Sequence, residues 1–110
     1  MATFVKGDVV IIPFPYSDLS QSKRRPAIII SVLAGYDLII CQMTTQAKTD
    51  ADALPLNNAD FATGSLDRDS NIRPNKLFTA DSRIILYRIG SIKQSKLDEI
   101  VNRIAEVIRR

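Results

Sequence analysis

The sequence predicts an α+β domain that is mostly β, a small barrel of short strands followed by one C-terminal amphipathic helix. Three observations carry this: Ile- and Val-rich runs of strand length, turn-forming Gly, Pro, Asn and Asp between them, and a helical apolar period confined to the segment after Ser95. The 110 residues match the common size of one domain, and 45% apolar with 25% charged residues is ordinary for a globular chain. A single domain over residues 1–110 is the expectation.

Gly7-Asp8 opens the apolar run Val9 to Ile12, and Pro13 and Pro15 close it, which predicts a first strand of about six residues. Ser17 to Arg24 is polar without an apolar period and reads as a loop. Arg25-Pro26 leads into Ala27 to Leu33, a buried central strand with Pro26 at its first position. Ala34-Gly35-Tyr36 is a tight connection to Asp37 to Met43, so these two runs form an antiparallel hairpin. Thr45 to Ala51 reads as loop and Asp52 to Leu56 as a short strand. Asn58 is the expected cap of one helical turn carrying Phe61. Ser70 to Thr79 is another strand, with Pro74 marking an edge or bulge. Asp81 caps a turn through Ile84, and Ile85 to Ile92 is the last strand, interrupted by Gly90. Ser95 and Asp98 resemble a capping box, and Leu97, Ile100, Val101, Ile104, Val107 and Ile108 share one helical face.

Composition removes whole classes of chemistry. The chain has no histidine, which excludes imidazole acid–base pairs, Ser-His or Cys-His nucleophiles and histidine-rich zinc sites. Cys41, the only cysteine, lies within an apolar run and reads as a buried small hydrophobe. No apolar stretch is long enough to span a membrane and no signal peptide is evident, so the expected location is cytoplasmic. The net charge of +3 permits an anionic partner.

Lys23-Arg24-Arg25 is the densest basic cluster. Such residues commonly flank apolar strands as solubilising gatekeepers, and they also suit a phosphodiester backbone. Arg25 is the best placed of the three, because a strand fixes its backbone and a guanidinium makes bidentate contacts to phosphate. Thr44 and Thr45 end the partner strand, where antiparallel pairing brings them near Arg25. Arg73 and Asn75 share a face of the later strand, with Ile72 and Lys76 on the other. Asp50/Asp52 and Asp67/Asp69 match no complete metal-binding loop and read as solvated turns.

Gly7-Asp8-Val9-Val10, Arg25-Pro26-Ala27-Ile28-Ile29-Ile30, Thr44 closing a strand, Asp69-Ser70, Arg73-Pro74-Asn75-Lys76-Leu77-Phe78-Thr79 and Asp81 occur in that order. Together they resemble the MazF/PemK toxin family of type II toxin–antitoxin systems over nearly the whole chain. The resemblance implies an SH3-like β-barrel, a homodimer, an antitoxin partner and endoribonuclease activity on single-stranded RNA without metal or cofactor. It implies catalytic roles for Arg25, Thr44 and Arg73. Lys23, Arg24, Thr45, Gln46, Asn75 and Lys76 are then the candidate RNA contacts. Some family members hold a carboxylate where this chain has Asn75, or a histidine in the first loop where it has Asp18, Leu19 or Ser20. The general base is therefore unassigned, with Asp18 as its candidate. The alternative is a non-catalytic binding toxin or nucleic-acid-binding module on the same fold.

Overall fold

A computed structural model of the chain describes residues 3–15, 22–45 and 50–110. Among these, the strands are β1 (Asp8–Pro15), β2 (Ser22–Val32), β3 (Asp37–Thr44), β4 (Leu54–Leu56), β5 (Phe61–Gly64), β6 (Ser70–Asp81) and β7 (Tyr87–Ile92). They form one antiparallel sheet in the order β4-β6-β3-β2-β1-β7-β5, curled into a half-barrel. One helix, α1 (Gln94–Ile108), follows. The expected mostly-β barrel with a C-terminal helix is what forms. No helix among the described residues is long and apolar enough to cross a membrane.

The central strands are covered on both faces, which is why their sequences are nearly continuous apolar runs and not alternating ones. One face collects Val9, Ile28, Cys41, Met43 and Ile72 against Leu97, Ile100 and Ile104 of α1. The other collects Val10, Ile12, Ala27, Ile29, Leu38 and Ile40, with Phe4, Phe78, Ala80 and Ile85 packed against them.

Prolines mislead about the first two strands. β1 runs through Pro13 to Pro15 and pairs with β2 as far as Pro15 opposite Ser22. The Ile11 carbonyl accepts from Leu86 N on the β7 side, so alternation turns Pro13 and Pro15 toward that same side. The β1–β7 ladder ends at Ile11 opposite Tyr87, and a missing N–H beyond it breaks no ladder bond. β2 likewise begins at Ser22, so Arg25 lies within a strand and not at its entrance. The Ile29 carbonyl accepts from Gly7 N on the β1 side, which turns Pro26 toward β3. The β2–β3 ladder accordingly starts one residue later, at Ala27 opposite Gln42.

Three further expectations shift by a residue or more. Asn57, not Asn58, caps the 3-10 turn Asn58–Asp60, in a capping box with Asp60, while the Asn58 amide oxygen accepts from Leu66 N at 2.7 Å. Phe61 belongs to β5. The N-cap of α1 is Lys93, without a side-chain cap, and Ser95 lies inside the first turn; the Asp98 carboxylate is taken by Gln94 at 2.9 Å instead of reaching back to the backbone. Asp81 does cap the turn Ser82–Ile84, accepting from Arg83 N at 2.8 Å. Gly64, at φ +76°, and Gly90 stand against each other's backbone where β5 meets β7, with no room for a side chain.

Ile100 is fully buried between α1 and the sheet, whereas Ile108 is 67% exposed. Ile100→Ala is expected to cost about 2–5 kcal/mol in chemical denaturation, and Ile108→Ala to stay within about 0.5 kcal/mol. Equal losses would place the helix elsewhere than on this core.

Candidate functional site

Three adjacent strands, β2, β3 and β6, carry the candidate residues at one end of the sheet. The register that sets Ala27 opposite Gln42 reaches Arg25 opposite Thr44 when continued across Pro26. Thr44 in turn lies opposite Asn71 of β6, two residues from Arg73. Directly opposed residues share a face, so Arg25, Thr44 and Arg73 project to the same side. They stand on neighbouring strands spaced about 5 Å apart. Arg25 and Gln42 also line a cleft of ≈ 580 Å³ whose floor is Ile12, Ile40, Phe78 and Ala80.

The expected irregularity at Pro74 is a bulge. Cys41 pairs with Leu77 and Met43 with Ile72, which leaves residues 73–76 opposite Gln42 alone. The Cys41 thiol donates to the Arg73 carbonyl at 2.9 Å, one of the backbone groups the broken ladder leaves over. Burial pushes that thiol up to about 12, so it stays neutral and inert, as its apolar surroundings suggest.

Arg73 and Asn75 do share a side, and what they share is Asp50. Arg73 Nε donates to Asp50 Oδ2 at 2.9 Å, and Asn75 Nδ2 approaches Oδ1 at 3.4 Å. Asp50 Oδ1 also accepts from Asp52 N at 3.0 Å, which closes the turn on itself. Arg110 grips the Asp52 carboxylate with Nη1 at 3.0 Å and Nη2 at 2.8 Å, and Arg103 donates to the Asp52 carbonyl at 3.2 Å. The end of α1 thus holds the turn that holds Asp50. The Arg73 hydrogen bond, helped by Asp52 N and Asn75 and opposed by partial burial, lowers Asp50 below the ordinary carboxylate value.

Asp50 and Asp52 are therefore not the solvated turn expected of them. Among the described residues, no group of three or more His, Cys, Asp or Glu is placed to hold a metal ion. Lys23, Arg24, Thr45, Asn75 and Lys76 are exposed. Strand alternation puts Lys23 on the side of Arg25 and Arg24 on the opposite side, so the basic triplet is split. Asp18 and Gln46 lie outside the described residues. Gln42 and Asp50 were not foreseen at this site. Gln42 could have been singled out as the polar residue within the run Leu38 to Met43, whereas Asp50 carries no comparable local signal.

Residues 5–108 match the family model for PemK-like, MazF-like toxins of type II toxin–antitoxin systems. The fold is similar to that of an endoribonuclease from a mycobacterial species, solved in complex with its cognate antitoxin (TM-score 0.74, 15% identity, covering 96% of this chain and 95% of that one). It is similar also to the Mycobacterium tuberculosis toxin MazF-mt6 (TM-score 0.68, 15% identity, 91% and 96% covered). A third likeness is to the MazE–MazF complex of Deinococcus radiodurans (TM-score 0.71, 17% identity, 94% and 94% covered). No curated protein matches the chain.

A carboxylate whose folded-state value is depressed stabilises the fold above its unfolded value and loses that contribution as pH falls through the folded one. The stability difference between the wild type and Asp50→Asn is thus expected to be largest at neutral pH and to shrink below the unperturbed value of 3.8. Urea unfolding at a series of pH values measures it, and a difference independent of pH would contradict the Arg73–Asp50 pairing.

Proposed function

Because the chain belongs to the PemK-like, MazF-like toxin family of type II toxin–antitoxin systems, we propose that it is a toxin that cleaves single-stranded RNA on the β2–β3–β6 face. The observation that supports this is the strand order β6-β3-β2 with Ala27 opposite Gln42 and Thr44 opposite Asn71, a register that, continued across Pro26, brings Arg25, Thr44 and Arg73 to one side. Such groups hold a phosphate in a binding module as well; in a phosphoryl-transfer site they also stabilise the negative charge that accumulates on the phosphorane oxygens.

In this reaction the RNA 2′-oxygen attacks the adjacent phosphorus, and the bond to the 5′-oxygen of the next nucleotide breaks. The products are a 2′,3′-cyclic phosphate and a 5′-hydroxyl, with no metal required. Arg25 stabilises the phosphorane, Thr44 orients the phosphate by hydrogen bonding, and Arg73 neutralises the developing charge. Asp18 is proposed as the acceptor of the 2′-hydroxyl proton, and the departing 5′-oxygen takes up a proton from water. Lys23, Arg24, Thr45, Gln46, Asn75 and Lys76 contact the RNA around the reacting phosphate, Arg24 from the strand's other side.

The same proposal includes an antitoxin and a second copy of the chain. An acidic, flexible antitoxin segment complements the basic rim of Lys23 and Lys76 and covers the RNA face. The homodimer uses the patch formed by Val32, Leu33, Tyr36, Leu86 and Tyr87, all of them 40% exposed or more. Val32, Tyr36, Leu86 and Tyr87 of this patch line a concavity of ≈ 650 Å³ on which Phe4 and Ile85 also border.

Loss of a positioned oxyanion donor typically costs about 10² to 10³ in rate, and Arg25→Ala is expected to lose at least that in single-turnover cleavage. Replacing the 2′-hydroxyl at the cut site by hydrogen is expected to leave binding intact and abolish cleavage. Binding of RNA with no cleavage by the wild type would point to a non-catalytic toxin, and cleavage of the 2′-deoxy strand would exclude this chemistry.

A further inference from the structure

We infer that Asp50 is a positioning residue for RNA cleavage, one that fixes the Arg73 guanidinium so that its terminal nitrogens face the phosphate. The inference rests on the function proposed above and adds to it a residue outside the sequence motifs that carry the family resemblance.

An arginine has two hydrogen-bonding edges, one that includes Nε and one made by Nη1 and Nη2. Asp50 takes Nε at 2.9 Å, and among the described residues no acceptor meets either Nη. The bond from Nε limits how far the guanidinium turns away from Asp50, and its Nη1–Nη2 edge has the geometry of a bidentate phosphate contact. The Arg73 side chain is 30% exposed and that of Asp50 11%, so the cation borders solvent while its anchor lies behind it.

The anchor is itself held on several sides. Its Oδ1 accepts from Asp52 N, Asn75 approaches the same oxygen, and Arg110 and Arg103 pin the turn to α1. These bonds make Asp50 part of the wall of the site and not an arm that swings across it. They also separate positioning from proton transfer. A carboxylate engaged through both oxygens and held below its ordinary value by an arginine is a weak base. Asn75 fits the same arrangement: an amide donates to Asp50, where a carboxylate at that position would repel it.

The test is a double-mutant cycle on cleavage of a defined RNA in EDTA, with Asp50→Asn, Arg73→Ala and the combination of both. Misplacement of a catalytic group by about 1 Å costs roughly 10²-fold, and Asp50→Asn is expected to lower kcat by about that factor with KM little changed. In the Arg73→Ala background the same change is expected to have no further effect, whereas a merely structural role would add its loss in both backgrounds. Should Asp50→Asn fail to fold, Asp50→Glu takes its place: it keeps the charge, displaces the Arg73 fork by one methylene, and is expected to show the same loss of kcat with binding retained. Wild-type rates in Asp50→Asn or in its substitute, faster cleavage in Asp50→Asn, or additive losses in the cycle overturn the assignment while the nuclease proposal stands. A wild-type protein that leaves RNA intact overturns the proposed function, and this inference with it.

Discussion

Opposite the single residue Gln42 of β3, β6 places residues 73–76, and the ladder resumes on either side at Cys41–Leu77 and Met43–Ile72. Pro74 cannot donate to a ladder, so a central strand that contains it must bulge or break. The bulge has two consequences. It buries Pro74 within the sheet, and it brings the side chains of Arg73 and Asn75 to one carboxylate from the preceding turn. The sheet pays for the irregularity with a broken ladder, and the Cys41 thiol takes up one carbonyl left over by it.

The same physics explains the contrast between the two polar groups behind the site. Cys41 is fully buried, and desolvation raises its thiol, so it contributes one hydrogen bond and no reactivity. Asp50 is partly buried beside a cation, and the hydrogen bond outweighs the desolvation, so it remains charged. A charge in that setting is stable only with its partner in place. Arg73 and Asp50 therefore depend on one another, and each is ordered by the strand or turn that carries it.

Much of this was legible in the sequence. Apolar run length marked the strands, Ala34-Gly35-Tyr36 marked the hairpin, and the hairpin itself implied that Thr44 comes round to Arg25. Strand limits were misplaced at Pro13 and Pro26, because a proline ends pairing only on the side its nitrogen faces, and that direction is set by neighbours distant in the chain. The cap of α1 was misplaced because Asp98 binds Gln94. Asp50 was illegible for a deeper reason: its partner Arg73 lies 23 residues away, and only the bulge brings the two together. The pattern that betrays a turn, Asp50-Ala51-Asp52, is the same whether its carboxylates face water or arginines.

The composition constrains the chemistry as firmly as the fold does. With no imidazole in the chain, the proposed cleavage relies on guanidiniums, a hydroxyl and a carboxylate, groups that stabilise charge better than they shuttle protons near neutral pH. Electrostatic stabilisation of an internal transfer is therefore the core of the proposed reaction, and the chemical identity of the product ends tests it most directly. Purified protein incubated with RNA in EDTA should leave 2′,3′-cyclic phosphate and 5′-hydroxyl termini at each cut. Termini bearing a 5′-phosphate, or cleavage that stops when divalent ions are removed, would contradict it.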